Sequence, residues 1–243
     1  MNIRTKLTPI VKISILHNQL RLSSRSAGEL QLILTESKNC VTRVTMNNPA
    51  KLNGWTVSML ESLFLTLDRL AEDTETRAVI LTGSDPYYSA GASLSENITL
   101  MHPKKLHSLI LENNEKLFNK FLDFPKPILV AANGPCIGAS VTSALLCDGI
   151  RWVGPYNWNK TLFKGIIASE AATFLTPFAR LSVPAEGCSS VHFPRTLGRE
   201  AADKMLKQGA KIGALEALEI GRILITLTVL CIPPLLSQDW FKK

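Results

Sequence analysis

The chain has 243 residues, of which 46% are hydrophobic and 19% are charged, and its formal net charge is +7. This composition is typical of a globular protein with a sizeable core and excludes a largely disordered chain. The basic residues are scattered and are not interleaved with aromatic ones, so we expect no nucleic-acid partner and favour an anionic small molecule.

Cysteine spacing argues against a metal-binding or disulfide-rich protein, and hydropathy argues against a membrane-spanning one. The five cysteines form no CxxC pair, which indicates neither a zinc site nor a disulfide framework, and a reducing compartment is the default. The most apolar stretch, residues 223–236, is shorter than the roughly 18 residues of a membrane span. It is also interrupted by Pro233 and Pro234, so we expect no membrane span and no metal.

The first 28 residues contain no acidic residue. They carry five basic residues and four serines: Arg4, Lys6, Lys12, Arg21, Arg25, Ser14, Ser23, Ser24 and Ser26. This composition is typical of a mitochondrial targeting segment. A disordered basic terminus is the alternative interpretation.

Strand and helix patterns then alternate along the chain. In chain order we predict strands over 30–36 and 41–46, a helix carrying Met59, Leu63, Leu67 and Leu70, a strand over 78–83, a helix over 103–123, a strand over 127–134 and a helix over 138–149. The alternation predicts an α/β fold with right-handed crossovers. Ligands of such folds bind beyond the carboxyl ends of the strands.

Two loops rich in small residues follow consecutive buried strands. They read "YYSAGASL" (87–94) and "NGPCIGAS" (133–140). Each loop alone is equally typical of a tight turn chosen for packing. Together they can bring two backbone N–H groups to one point in space.

The stretch "PFARLSVPAEGCSSVHFP" (177–194) contains a single acid, Glu186. One interpretation is an exposed turn whose carboxylate faces water. The other is a base in an apolar pocket, where desolvation raises the pKa of the carboxyl group. Composition alone favours the first.

Four stretches, taken in order, resemble the crotonase family, the enoyl-CoA hydratase/isomerase superfamily. They are "NNPAKLNG", "AVILTGSDPYYSAGASL", "FPKPILVAANGPCIGASV" and "IASEAATFLTPFARLSVPAEGCSS", within residues 30–222. The resemblance implies a crotonase-like spiral of ββα units that binds an acyl-CoA substrate. It also implies that two backbone amides hold the thioester oxygen while an enolate forms.

The resemblance carries over to single residues. It makes Ala92 and Ala139 the two oxyanion-hole amides and Glu186 the catalytic acid. Five further residues are expected to contact substrate: Ser89, Ala90, Gly91, Leu94 and Gly138. Coenzyme A is part of the substrate, and the resemblance implies no cofactor and no metal.

The acidic residues distinguish branches of the family. Hydratases carry two glutamates, at the places that hold Thr142 and Phe178 here. Glu186 instead stands where peroxisomal-type Δ3,Δ2-enoyl-CoA isomerases place their single glutamate. We therefore expect an isomerase of fatty acyl-CoA β-oxidation. The alternatives are a catalytically impaired acyl-CoA-binding or protein-binding relative and, less favoured, a hydratase.

Two segments depart from the family pattern. Residues 151–166 are extra and are either a surface loop or a retained intervening segment. Residues 223–243 replace the helices that cover the active site and form trimer contacts, so the C-terminal helical part is expected to be incomplete. We thus divide the chain into a basic segment (1–28), a crotonase-like domain (29–222) and an atypical tail (223–243).

The resemblance implies a homotrimer, although this tail lacks the helices that form its contacts. Mitochondrion and peroxisome are the expected compartments, and the chain does not end in a serine–lysine–leucine type address.

Overall fold

The computed structural model describes residues 31–93, 101–148 and 166–220, together with the backbone of residues 223–227. The predicted targeting segment, Leu94 and residues 151–165 of the predicted insertion lie outside these residues, as does the tail beyond residue 227.

The described residues form nine strands, six α-helices and one 3-10 turn. The strands are β1 (Ile33–Lys38), β2 (Val41–Met46), β3 (Ala78–Gly83), β4 (Ile128–Ala132), β5 (Cys136–Ile137), β6 (Ile166–Ser169), β7 (Thr173–Leu175), β8 (Lys211–Gly213) and β9 (Ile223–Leu227). The helices are α1 (Val57–Glu72), α2 (Pro103–Leu122), α3 (Ala139–Leu146), α4 (Ser189–Leu197), α5 (Arg199–Leu206) and α6 (Ala214–Glu219), and the 3-10 turn is Pro49–Lys51.

The larger sheet has the strand order β1-β2-β3-β4-β6-β9. Its first two strands form an antiparallel hairpin, and every later pair is parallel. The hairpin turns at Asn39 and Cys40, whose φ values are 51° and 61°. Two positive φ values match the twist of the flanking strands in a two-residue turn. β3 and β4 are parallel neighbours, which confirms the central prediction of the α/β arrangement.

A unit of two strands and one helix occurs twice in succession along the chain. β4 joins the larger sheet, β5 joins a smaller sheet of order β5-β7-β8, and α3 follows; β6, β7 and α4 repeat this sequence. The predicted spiral of ββα units is thereby confirmed. Because β5 and β7 are parallel, the segments that follow them leave from the same edge of the small sheet.

Helix α1 buries the apolar residues that the helical periodicity of the sequence predicted to face the core. Met59, Leu63 and Leu67 are fully buried, and Leu70 is nearly so. The Thr56 hydroxyl caps the helix by accepting a hydrogen bond from the Met59 N–H, at 3.1 Å. The sheet itself extends past the boundary predicted at residue 222, because β9 pairs with β6.

Candidate active site

The loop after β3 lies between two neighbouring segments and bonds to each in turn. Ser89 N donates to Pro135 O on one side, at 3.3 Å, and Trp55 N donates to Gly91 O on the other, at 2.7 Å. The C=O and N–H of a trans peptide point in opposite directions. Since Gly91 O points towards Trp55, the Ala92 N–H points away from it.

The second predicted amide lies at the start of α3. Gly138 O points into the helix, where it accepts from Val141 N at 2.9 Å and from Thr142 N at 3.3 Å. The same trans-peptide geometry directs the Ala139 N–H out of the helix N-terminus, where the helix dipole favours an anion. Gly138 has φ of 60° and ψ of −123°, a conformation that favours glycine.

The two amide-bearing loops are in contact. Gly91 has φ of +75°, and a Cβ atom placed on it would lie 2.2 Å from Ile137 O and 3.5 Å from Ala139 N. Only glycine permits this approach. The Gly91 backbone therefore lies close to the start of α3, and the convergence of the Ala92 and Ala139 N–H groups on one oxygen stays a prediction.

The loop that carries Glu186 packs onto α3. A Cβ atom on the next residue, Gly187, would lie 2.9 Å from Thr142 Cβ and 2.6 Å from Phe118 Cε1 of α2. Thr142 is one helical turn beyond Ala139, about 4.5 Å along the axis. Glu186 thus belongs to a loop held within about a turn of the second amide. The direction of its carboxylate relative to the two amides stays a prediction.

The Glu186 carboxyl is partly buried, and this burial raises its pKa above the ordinary value of 4.5. Among the described residues its carboxylate has no hydrogen-bond or ion-pair partner. Only its main-chain carbonyl is bonded, accepting from the Ser189 hydroxyl at 2.6 Å. The shift has the direction expected of a partly desolvated carboxyl group.

A surface cavity of about 440 Å³ adjoins the first amide. It is lined by Lys51, Gly54, Thr56, Ala90, Gly91, Ala92 and Ser93. Three of the residues predicted from the resemblance therefore face this space. Gly138 is half-buried beside α3, and Leu94 lies outside the described residues.

Ser89 has a different environment from the other predicted contact residues. It is fully buried, and its hydroxyl donates to Asn53 O at 2.8 Å while accepting from Gly91 N at 3.1 Å. Its side chain therefore lies behind the loop. Its contact with substrate stays a prediction.

Sequence reasoning missed residues that connect the loops. The buried Asn53 side chain donates to Ser84 O at 2.6 Å and to Tyr87 O at 2.7 Å, and it accepts from Asn48 N at 2.8 Å. The Asn-Gly dipeptide at 53–54 is a turn signal that could have marked it. Nothing in the pattern distinguished Ser140 from its small neighbours.

Within residues 31–93, 101–148 and 166–220, no group of three or more His, Cys, Asp or Glu side chains could hold a metal ion. In the same part of the chain, no helix combines the length and the apolar character needed to cross a membrane.

The chain is similar in sequence to proteins that are named as enoyl-CoA delta isomerases. Enoyl-CoA delta isomerase 2 of Rattus norvegicus is 35% identical over 196 residues, which are 79% of this chain and 45% of that protein. Enoyl-CoA delta isomerase 3, peroxisomal, of Mus musculus is 32% identical over 200 residues, 81% of this chain and 57% of that protein. The chain thus spans about half the length of these relatives.

The fold has solved counterparts. The crystal structure of enoyl-CoA hydratase from Bacillus anthracis matches with a TM-score of 0.69 at 24% identity, covering 82% of this chain and 71% of that one. At this identity the likeness shows the fold alone. Residues 36–154 match the family model described as enoyl-CoA hydratase/isomerase. Together with the ββα spiral and the isomerase relatives, these matches show that the chain belongs to the crotonase superfamily, near its enoyl-CoA isomerase branch.

Proposed function

We propose that the chain is a Δ3,Δ2-enoyl-CoA isomerase with Glu186 as its single proton shuttle. The observation that carries this proposal is the loop of Glu186, which packs through Gly187 onto Thr142, one turn from the Ala139 amide. The two relatives named as enoyl-CoA delta isomerases support the same activity.

The chemistry needs one base and one anion site. The Glu186 carboxylate removes a proton from C2 of a 3-enoyl-CoA, and the electron pair of that C–H bond moves into the thioester as a dienolate. The Ala92 and Ala139 N–H groups stabilise the oxyanion. The protonated Glu186 then returns the proton to C4, and the double bond lies between C2 and C3. No electrons leave the substrate, so the reaction requires no redox cofactor, and with two N–H donors on the oxyanion it does not need a metal as Lewis acid.

The raised pKa of Glu186 suits both steps. Burial without a cationic partner makes the carboxylate more basic, and general acid–base help of this kind contributes about 10²–10⁴-fold. Partial burial of the site would also limit the access of water to the dienolate.

Water addition has less support, because it needs a second acid. Thr142 is fully buried and its hydroxyl donates to Ala139 O at 3.1 Å, while Phe178 is buried at 5% exposure. Neither side chain can transfer a proton as a carboxyl group does.

The test is turnover of trans-3-hexenoyl-CoA by the purified chain. We expect the 2-enoyl isomer, and Glu186→Gln should lower kcat by about 10²-fold or more with little change in substrate affinity, because the amide is nearly isosteric but cannot accept the proton. Glu61→Gln makes the same substitution at an exposed position of α1 and should leave turnover unchanged.

The other outcomes identify the alternatives. A 3-hydroxyacyl-CoA product from trans-2-hexenoyl-CoA, without isomerisation, would indicate a hydratase. Binding of acyl-CoA without turnover would indicate a catalytically impaired acyl-CoA-binding relative. Full isomerase activity in Glu186→Gln would remove Glu186 from the mechanism.

We also propose a compartment and an assembly. The Mus musculus relative is named as peroxisomal, and the basic N-terminal segment is typical of mitochondrial targeting, so we propose a peroxisomal or mitochondrial location. Imaging of the tagged full chain tests it. A homotrimer follows from the family resemblance, and sedimentation analysis of the full chain tests that proposal.

A further inference from the structure

Two buried serine hydroxyls connect the loops that carry the amides. Ser140 and Ser89 are both fully buried, and neither belongs to the residues that line the cavity. Among the described residues, their hydroxyls bond to backbone atoms of these loops and of Asn53 and not to other functional side chains.

Ser140 joins the second loop to the first. Its hydroxyl accepts from Ile137 N at 2.9 Å, and its proton lies within reach of Ser89 O at 3.0 Å and Ile137 O at 2.9 Å. Ile137 N also donates to Ser89 O, at 3.1 Å. The backbone before Ala139 is thus joined to the backbone of Ser89 both by the Ser140 side chain and by a direct backbone hydrogen bond.

Ser89 extends this connection to the first amide. Its hydroxyl accepts from Gly91 N at 3.1 Å and donates to Asn53 O at 2.8 Å. Gly91 N belongs to the peptide that precedes the one carrying the Ala92 N–H, so this bond anchors the backbone from which that peptide extends, while Trp55 N holds the peptide itself through Gly91 O at 2.7 Å.

From these contacts we infer that Ser140 and Ser89 are positioning residues, which hold the Ala92 and Ala139 N–H groups in the relative orientation that an enolate oxygen requires. The inference rests on the proposed function. The two amides come from loops that follow different strands, so the backbone of either loop alone does not fix their separation. Two backbone bonds, from Ser89 N to Pro135 O and from Ile137 N to Ser89 O, already join the loops, and the hydroxyls add the side-chain bonds that hold the peptides next to the two amides.

The expected consequence lies in kcat. Charge develops on the thioester oxygen only as the enolate forms, so donors that are slightly misaligned lose little in substrate binding and much in the transition state. Displacement of a reacting group by about 1 Å can cost about 10²-fold.

The first experiment compares Ser140→Ala with Ser143→Ala. Ser143 is also fully buried in α3, but its hydroxyl bonds within the helix, to Ser140 O at 3.4 Å. The control therefore removes the same atom from the same helix without touching the loops. We expect Ser140→Ala to lower kcat about 10- to 100-fold, with KM little changed, while Ser143→Ala keeps both values. Thermal unfolding of each variant monitors the fold, and Ser89→Ala carries the test if Ser140→Ala does not fold.

The second experiment reads the anion site without turnover. Acetoacetyl-CoA, whose enolate absorbs in the near ultraviolet, is bound to each purified full chain, and the bound fraction present as enolate is measured. We expect that fraction to fall in Ser140→Ala and in Ser89→Ala and to be unchanged in Ser143→Ala. Equal fractions in all the variants would overturn the inference, whatever their turnover.

The two proposals can fail separately. A chain that binds the enolate but never isomerises trans-3-hexenoyl-CoA would refute the isomerase, while the enolate fractions would still decide the role of the serines. A chain that isomerises but whose Ser140→Ala and Ser89→Ala variants match Ser143→Ala in kcat would refute only the positioning role. Failure of the unaltered chain to hold acetoacetyl-CoA as its enolate would overturn the inference.

Discussion

Substitution of Gly91 by alanine should displace the first amide by a distance that the structure gives. The new Cβ atom would lie 2.2 Å from Ile137 O, whereas C···O contacts are about 3.3–3.6 Å. The loop would therefore move by about 1 Å, and a displacement of that size in a catalytic group can cost about 10²-fold in rate. We expect Gly91→Ala to lower kcat on trans-3-hexenoyl-CoA by about that factor.

The same substitution should also reduce stability. Gly91 has φ of +75°, and a non-glycine residue held in a sparsely populated backbone region costs about 1–3 kcal/mol. For a chain of this size each kcal/mol lowers Tm by about 2–4 °C. Thermal unfolding measures this loss, and kcat is determined well below the new Tm so that unfolding does not mimic a catalytic defect.

Gly213→Ala is the matched control, because a Cβ atom there meets nothing within 4 Å and the residue has φ of −80°. It should keep both kcat and Tm close to those of the unaltered chain. A Gly91→Ala variant that folds and turns over at the full rate would refute the reasoning, since it would show that the loop tolerates the displacement or that the Ala92 amide does not act.

Three further predictions follow from single side chains. The pH profile of kcat/KM should rise with pH through a midpoint above 4.5, because burial raises the pKa of Glu186 and the ionised form is the base; a midpoint at or below 4.5 would contradict this. Tyr88→Phe should raise the free energy of unfolding by about 1 kcal/mol in denaturant titrations, because the fully buried Tyr88 hydroxyl has no hydrogen-bond partner among the described residues; a loss of stability would reveal a partner. Thr142→Ala should lower kcat by less than about 10-fold, far less than Glu186→Gln, because its hydroxyl is bonded within α3; an equal loss in the two variants would assign Thr142 a proton.

The two small-residue loops could be predicted from the sequence because each follows a buried strand, whereas the assignment of the Ala92 and Ala139 amides came from the family resemblance and stays a prediction. Gly138 follows β5 directly and precedes α3, and a strand followed by a glycine turn and a helix is a local signal. The apolar face of α1 is also a local pattern in the sequence. Its residues Met59, Leu63 and Leu67 are all buried, as predicted. The first strand is predicted about three residues too early, at 30–36, whereas β1 is Ile33–Lys38; its end is set by the two-residue turn at Asn39 and Cys40.

The role of the serines could not be predicted because it depends on contacts between distant segments. Ser89 and Ser93 lie on the same loop and have the same chemistry, yet Ser93 lines the cavity and Ser89 is fully buried. The difference arises from alternate bonding of the loop to residues near Pro135 and near Trp55. No pattern within the loop records which neighbour each residue meets.

The acid at 186 is placed by the glycine that follows it. Gly187 and Cys188 have φ of 60° and 57°, which turns the chain sharply before α4. A side chain at 187 would collide with Phe118 of α2 and with Thr142 of α3, so any larger residue would lift the loop away from both helices. Glu186 would then move away from the Ala139 amide and towards water, where its pKa would return to the ordinary range. The partial burial that makes the carboxylate basic therefore depends on close packing of a glycine between two helices.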